Sequence, residues 1–345
     1  MNKQDAFQEL EQLNKTENYN GVYAVVSGSK VLFQNMAGYA NPITKEPFTE
    51  HTSLGLGSVT KQFTATSILK LKEEGRVDID ALLSKCVPEY KFADQVTLRQ
   101  MLNMDSGIPD YTAILIPQLM EVEKAAGSSP DRININLNKA VGEDISFDQI
   151  IELINGQGLD FEPGSKFTYC NTNYALLSHI VEKVSGESFA EFVKRTIFNP
   201  LDMNDSSVGT KTSDADSFVF IDGQYESFGR GNHFAGDGSV VLSLNDFEKW
   251  AQAIINQTLL TPESVAESFD IQHDGSYGMG WMKSDDWYWH SGHIVGFWSD
   301  IYLSPDRKIA TIFLHNVTST DLKPEMHWMD SIKQWHTNYL KVLTD

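Results

Sequence analysis

The chain has 345 residues, 41% hydrophobic and 21% charged, which is enough for one large core or two ordinary ones. Glycine (24) and proline (11) sit near average usage, so collagen-like, low-complexity and disordered chains are excluded. With 47 Asp and Glu against 27 Lys and Arg, the formal charge of -20 would repel a phosphate backbone, and nucleic acid is not an expected partner.

The stretch at 6–13 has helical apolar spacing and leads into a polar linker at 14–20. No apolar leader or cleavage site precedes it, so residence in the cytoplasm is expected, or outside it if a leader has been removed. Two β-rich runs, 21–26 and 31–36, flank the turn residues at 27–30 and predict an antiparallel hairpin. The spacing predicts a helix over 58–74 that stops at Gly75. Helices follow at 98–104, 147–154, 174–184 and 189–197, with a long loop expected at 105–138. Beyond about 275 the pattern returns to strands, at 277–282, 287–290, 297–303 and 309–315, before a last helix at 324–343. None of these runs reaches the roughly 20 apolar residues of a membrane span.

Strands at both ends around a helical middle predict an α+β fold, with an antiparallel sheet flanked by helices and built from both termini. The sheet domain is placed at 1–76 and 205–345, the mostly helical domain at 77–204, and the active site in the cleft between them. Cys86 and Cys170 make no metal or redox spacing and are expected to be free thiols. No cofactor or metal is expected.

There is no G-x-S-x-G elbow, zinc helix, Walker loop or dinucleotide fingerprint. The pattern S-x-x-K occurs at Ser27/Lys30, Ser58/Lys61 and Ser67/Lys70. Ser27 falls in the hairpin turn and Ser67 inside a helix. Ser58 alone opens a helix just after glycines, where backbone amides favour developing negative charge, and Lys61 lies one turn on along the same face. A serine hydroxyl needs a base, and an uncharged lysine amine can supply one; the alternative is a helix cap followed by a solvated lysine.

Two further elements stand out. Tyr169 and Asn171 follow a turn-rich stretch at 162–165, where a phenol or phenolate would stand beside Lys61 and an amide would bond substrate or lysine; the alternative is a loop tyrosine and a capping asparagine. A second Tyr-x-Asn at Tyr39 and Asn41 precedes Pro42 and reads as a turn. His290, Ser291 and Gly292 end a strand, where small residues admit a substrate backbone and the imidazole offers a titratable donor.

The chain resembles the serine β-lactamase-like hydrolases, which include class C β-lactamases, D-alanyl-D-alanine carboxypeptidases and related esterases. The collinear segments are GSVTKQFT at 57–64, EEGRVDID at 73–80, VTLRQMLNMDSGIPDY at 96–111, FEPGSKFTYCNTN at 161–173, GDGSVVLSLND at 236–246 and HSGHIVGF at 290–297. The resemblance implies a β-lactamase/transpeptidase-like fold, Ser58 as the acylated serine, Lys61 as its amine partner and Tyr169 as the proton-shuttling tyrosine. Asn171, His290, Ser291 and Gly292 fall on substrate-binding motif positions, and an oxyanion hole falls on the amides of Ser58 and about Phe297. Cys170 replaces a usual Ser or Ala, and His290 a usual lysine. With the lysine gone, acylation by carboxylate-bearing substrates is expected to weaken between about pH 6 and 8.

The expected function is hydrolysis, through a serine acyl-enzyme, of a small-molecule ester, amide or D-amino-acid peptide. The alternatives are a β-lactamase, a covalent penicillin-binding sensor with little turnover, and a non-catalytic binding module.

Overall fold

The computed structural model describes residues 2–233, 235–272, 277–284, 287–294 and 296–344. Helix α1 (Lys3–Thr16) starts on a reciprocal cap in which Asn2 and Asp5 bond each other's backbone amides. Strands β1 (Gly21–Ser27) and β2 (Lys30–Ala37) form the expected hairpin, with Gly28 at φ +56°. Helix α2 (Thr60–Glu73) is entered through a 3-10 turn, Gly57–Val59.

Six helices follow: α3 (Leu98–Leu102), α4 (Tyr111–Ala125), α5 (Pro130–Val141), α6 (Phe147–Asn155), α7 (Asn171–Ser185) and α8 (Phe189–Val193). Next come α9 (Leu244–Asn256) and α10 (Pro262–Ser268). The C-terminal part adds β3 (Tyr277–Gly278), β4 (Trp281–Ser284), β5 (Trp287–Ile294), β6 (Phe297–Leu303), β7 (Ile309–His315) and helix α11 (Lys323–Thr344).

The seven-stranded sheet has the order β3-β4-β5-β6-β7-β1-β2, with antiparallel neighbours throughout. The first strand thus pairs with the last, Gly21 opposite His315, as an α+β sheet assembled from both ends requires. Strand alternation divides β1 between two cores. Val22, Ala24 and Val26 join a large apolar cluster that continues through α2 into α3, α6, α7 and α8; Tyr23 and Val25 face α1 and α11. Trp335 and Trp328 of α11 lock that second layer by donating to the Ala6 carbonyl and the Asn14 side chain, at 2.9 and 2.8 Å.

The long loop expected at 105–138 is instead largely α4 and α5. Asp110 caps α4 by accepting from the Thr112 amide, and Ser129 caps α5 with Pro130 in its first turn. Pro117 lies inside α4, where it removes one backbone donor and interrupts the apolar period. The expected helix at 189–197 is divided, with α8 passing into a π-helical turn at Lys194–Phe198. The strand expected at 287–290 runs on to Ile294, so the His-Ser-Gly motif lies within it. Among the described residues no helix is long and apolar enough to cross a membrane.

Buried titratable groups give the fold a two-sided pH dependence. Desolvation pushes His315 and His336 down to about 3, and His336 stacks among Trp287, Tyr302 and Trp335. An unfolded histidine takes up a proton below about 6.5, so the unfolded state binds more protons and stability falls from there toward about pH 3. Asp300 behaves oppositely. Burial raises it to about 8, so its native form keeps a proton that the unfolded chain releases, and its contribution is lost as pH rises from about 4 to 8. In thermal melts, His336→Phe is expected to flatten the decline in Tm between pH 6.5 and 4, and Asp300→Asn to flatten the decline toward pH 8. Unchanged slopes would show these groups to be solvated.

Candidate active site

Three chain segments converge on the start of α2. Leu54–Gly55 pairs with Val240–Leu242, and the Leu56 amide donates to the Val240 carbonyl at 2.8 Å. That pairing brings the 236–239 turn beside Ser58. Strand β5 approaches from the other side. A Cβ on Gly292 would lie 1.8 Å from the Leu56 oxygen and 2.7 Å from the Ser58 nitrogen, and one on Gly57 only 2.7 Å from the His293 nitrogen. Gly57 also has φ +54°, so both positions require glycine.

Lys61 is fully buried, and its ammonium position is defined by three acceptors: Ser58 Oγ at 3.0 Å, Asn171 Oδ1 at 2.9 Å and the Asp237 carbonyl at 2.8 Å. The amide and carbonyl oxygens can only accept, so each takes one N–H. The third direction then holds either an N–H donated to Ser58 or, in the free amine, a lone pair facing the serine proton. The same geometry therefore serves both protonation states of a proton-accepting lysine.

Asn171 owes its orientation to Asp110, whose Oδ2 accepts from the Asn171 backbone and side-chain amides at 2.7 and 3.1 Å. Its Oδ1 is thereby turned to Lys61. Tyr169 is half-buried, with its ring centroid 4.9 Å from Lys61 Nζ. Cys170 is buried, with Sγ 3.3 Å from the Ile108 carbonyl; desolvation raises its thiol far above the ordinary value, so it is a packing residue. Cys86 and Cys170 are both free.

A cavity of about 130 Å³ opens onto Ser58, Tyr169 and Asn171. Its wall also includes Tyr111 and Thr112 of α4, Asn138 and Val141 of α5, His233, Asp237, Gly238, His293 and Ile294. Sequence reasoning missed Asp110, Tyr111, His233, Asp237 and His293 as site residues. Four of the five lie inside or beside motif segments already marked, at 96–111, 236–246 and 290–297.

The third motif divides between the two faces of β5. His290 is fully buried and does not line the cavity. Its Nδ1 lies 2.7 Å from the Ser291 carbonyl and must donate, which leaves Nε2 to accept from the Tyr277 hydroxyl at 3.0 Å. Desolvation and the Lys61 charge push it down to about 3, so it is neutral throughout the range in which a pH-dependent contact was expected. Ser291 points to the opposite face and donates to Asp300 at 2.6 Å, beneath α11.

Phe297, expected to share the oxyanion hole, is not among the residues that line the cavity. It pairs with Ile294 across the sheet, and its ring packs on Gly55, away from the cavity. The backbone amide that reaches the Ser58 segment is that of His293.

The β-lactamase family model matches residues 7–330. The chain is 26% identical to penicillin-binding protein 4* of Bacillus subtilis, with 91% of this chain and 72% of that protein aligned. It is 26% identical to a D-aminopeptidase of Gluconobacter oxydans over 88% of this chain, and spans only 57% of that protein's length. The D-amino acid amidase of Ochrobactrum anthropi SV3, solved with L-phenylalanine amide, shares the fold at a TM-score of 0.77 and 22% identity, covering 97% of this chain and 99% of that one. The chain therefore belongs to the β-lactamase family, as a serine hydrolase of the β-lactamase/transpeptidase-like fold.

Proposed function

We propose that the enzyme hydrolyses D-amino-acid amides, short D-amino-acid peptides and simple esters in preference to carboxylate-bearing β-lactams. The observation that carries this reading is the charge of the cavity wall. Among the described residues its charged side chains are His233 and Asp237, and these are bonded to each other at 2.8 Å. Among the described residues no lysine or arginine lines it to meet a substrate carboxylate, and the neutral His290 is turned to Tyr277. The D-aminopeptidase and D-amino acid amidase relatives support the same substrate class.

In this reading the Lys61 free amine takes the Ser58 proton as Oγ bonds to the substrate carbonyl carbon. The amides of Ser58 and His293 hold the oxyanion. Tyr169 relays the proton from Lys61 to the departing nitrogen or oxygen as the carbonyl–leaving-group bond breaks. Water then attacks the acyl-serine, its proton returns through the same groups, and the acid leaves with Ser58 restored.

A panel of D-alaninamide, p-nitrophenyl acetate and a chromogenic cephalosporin tests the assignment. Turnover of the first two above the third is expected. Efficient cephalosporin turnover would make the enzyme a β-lactamase, and a burst without turnover a penicillin sensor; either result overturns the proposal. Ser58→Ala should abolish fluorophosphonate labelling. Lys61→Ala and Tyr169→Phe should each lower kcat by about 10²-fold or more, and the double variant should lose far less than the product of the two, because a shared proton path is broken only once.

Two further outcomes follow from the geometry. Gly292→Ala should cut the labelling rate by about 10²-fold, the scale of a lost oxyanion donor, because a methyl there displaces β5 from Ser58. The kcat/KM ratio of cephalosporin to acetate ester should stay flat from pH 5 to 8; a fall across pH 6 to 8 would place a titrating imidazole against the substrate.

A further inference from the structure

Beside the groups that bond Ser58, the cavity wall holds a second buried polar cluster. Asp237, 5% exposed, accepts from the Tyr111 hydroxyl at 2.9 Å and from His233 Nε2 at 2.8 Å, one bond on each oxygen. His233, 2% exposed, faces the Glu143 carbonyl with Nδ1 at 3.5 Å. A carboxylate only accepts, so Nε2 carries a proton and donates it to Asp237. Burial works against charge on both partners, yet their mutual attraction prevails. His233 is held above its ordinary value, with Asp144 adding to the effect, and Asp237 below its own, with Lys61 and Tyr111 adding there.

The groups facing this pair come from every neighbouring element. Tyr111 of α4 stays protonated through burial and the adjacent carboxylate. Glu143 and Asp144 follow α5, Tyr169 precedes α7, and His293 of β5 is held neutral by desolvation. Lys61 of α2 stands nearest in function, because the residue whose carboxylate bonds His233 also supplies, from its backbone, the carbonyl that holds Nζ.

We propose that the buried His233–Asp237 pair is the charge balance of the active site: His233 cancels the Asp237 carboxylate, which leaves Lys61 able to exist as a free amine facing Ser58. An uncompensated carboxylate beside Nζ would favour the ammonium, and an ammonium has no lone pair for the serine proton. Asp237 also fixes the position of the carbonyl that orients Nζ. Both are positioning residues, acting through Lys61. The inference rests on the reading of Lys61 as the base and goes beyond it by naming the pair that balances charge beside it.

The test is kcat/KM against pH with p-nitrophenyl acetate for the wild type, His233→Gln, Asp237→Asn and the double variant. In His233→Gln, which keeps a donor but removes the charge, the acid limb should move up by about one pH unit or more, the scale of a nearby charge. In Asp237→Asn, which also removes the attraction that holds the His233 charge against burial, and in the double variant, the limb should stay near the wild-type position. A purely structural role would lower kcat in all three without moving the limb of His233→Gln above the other two, and that result overturns the inference. If His233→Gln fails to fold in a thermal melt, His233→Asn takes its place, an unmoved or lowered limb overturning the proposal. Lys61→Ala separates the two levels. If it keeps activity with the same acid limb, the base reading fails; if Lys61 is essential and the limbs stay together, only the charge balance fails.

Discussion

A lysine shut off from solvent must find every partner for its amine inside the protein, and Lys61 finds them on three segments far apart in sequence. A hydrogen bond to a charged group is worth about 1.5–3 kcal/mol, and a buried charge that loses its partner costs more than that. The three acceptors are therefore braced in turn. Asn171 is held by Asp110, which also caps α4, and Asp237 is held by His233 and Tyr111. The sheet, α2 and the helical middle meet at one nitrogen, so the packing that closes the fold also sets the geometry of its reactive end.

The second constraint is steric. Strand β5 runs so close to the Gly57–Val59 turn that neither Gly57 nor Gly292 has room for a methyl. That closeness brings the His293 amide beside Ser58, while the strand's alternation assigns the neighbouring side chains to opposite layers. His290 goes to Tyr277 and the core under Tyr169, and Ser291 to Asp300 under α11. A motif written along a strand is thus never a single surface. Its backbone serves the cavity, and its side chains anchor the strand in two cores.

This distinction explains which parts were legible in the sequence. The β1–β2 hairpin, the helix opened by Ser58 and the terminal strands follow local rules of turn, cap and alternation, and they occur where those rules place them. Ser58, Lys61, Tyr169 and Asn171 stand out because a local pattern singles out each element, and the structure gathers them around one cavity or one nitrogen. The α4–α5 pair reads as loop because 105–138 carries no readable apolar pattern; in the structure Pro117 lies inside α4 and Ser129 caps α5. Asp110, His233 and Asp237 were missed for a different reason. Their partners lie elsewhere in the chain or depend on a loop's exact path, and a buried ion pair leaves no periodic trace. Strand spacing points to Phe297 rather than His293 because the approach of β5 to the Gly57 turn is a tertiary fact that it does not encode.

The α4–α5 pair also bears on how such a site can change its substrate. It supplies Tyr111, Thr112, Asn138 and Val141 to the cavity, but the residue before α4 is Asp110, which orients the amide holding Lys61. Tyr111, the first residue of α4, bonds the carboxylate whose own backbone holds the same lysine. Moving the start of α4 to enlarge the cavity would therefore disturb two of the three acceptors of the buried amine. Exchanging side chains at the far end, at Asn138 and Val141 of α5, would reshape the wall without touching either. Substrate selection and proton transfer are thus mechanically coupled at one end of the hairpin and separable at the other, so variation in substrate class has its least costly route through the C-terminal turn of α5.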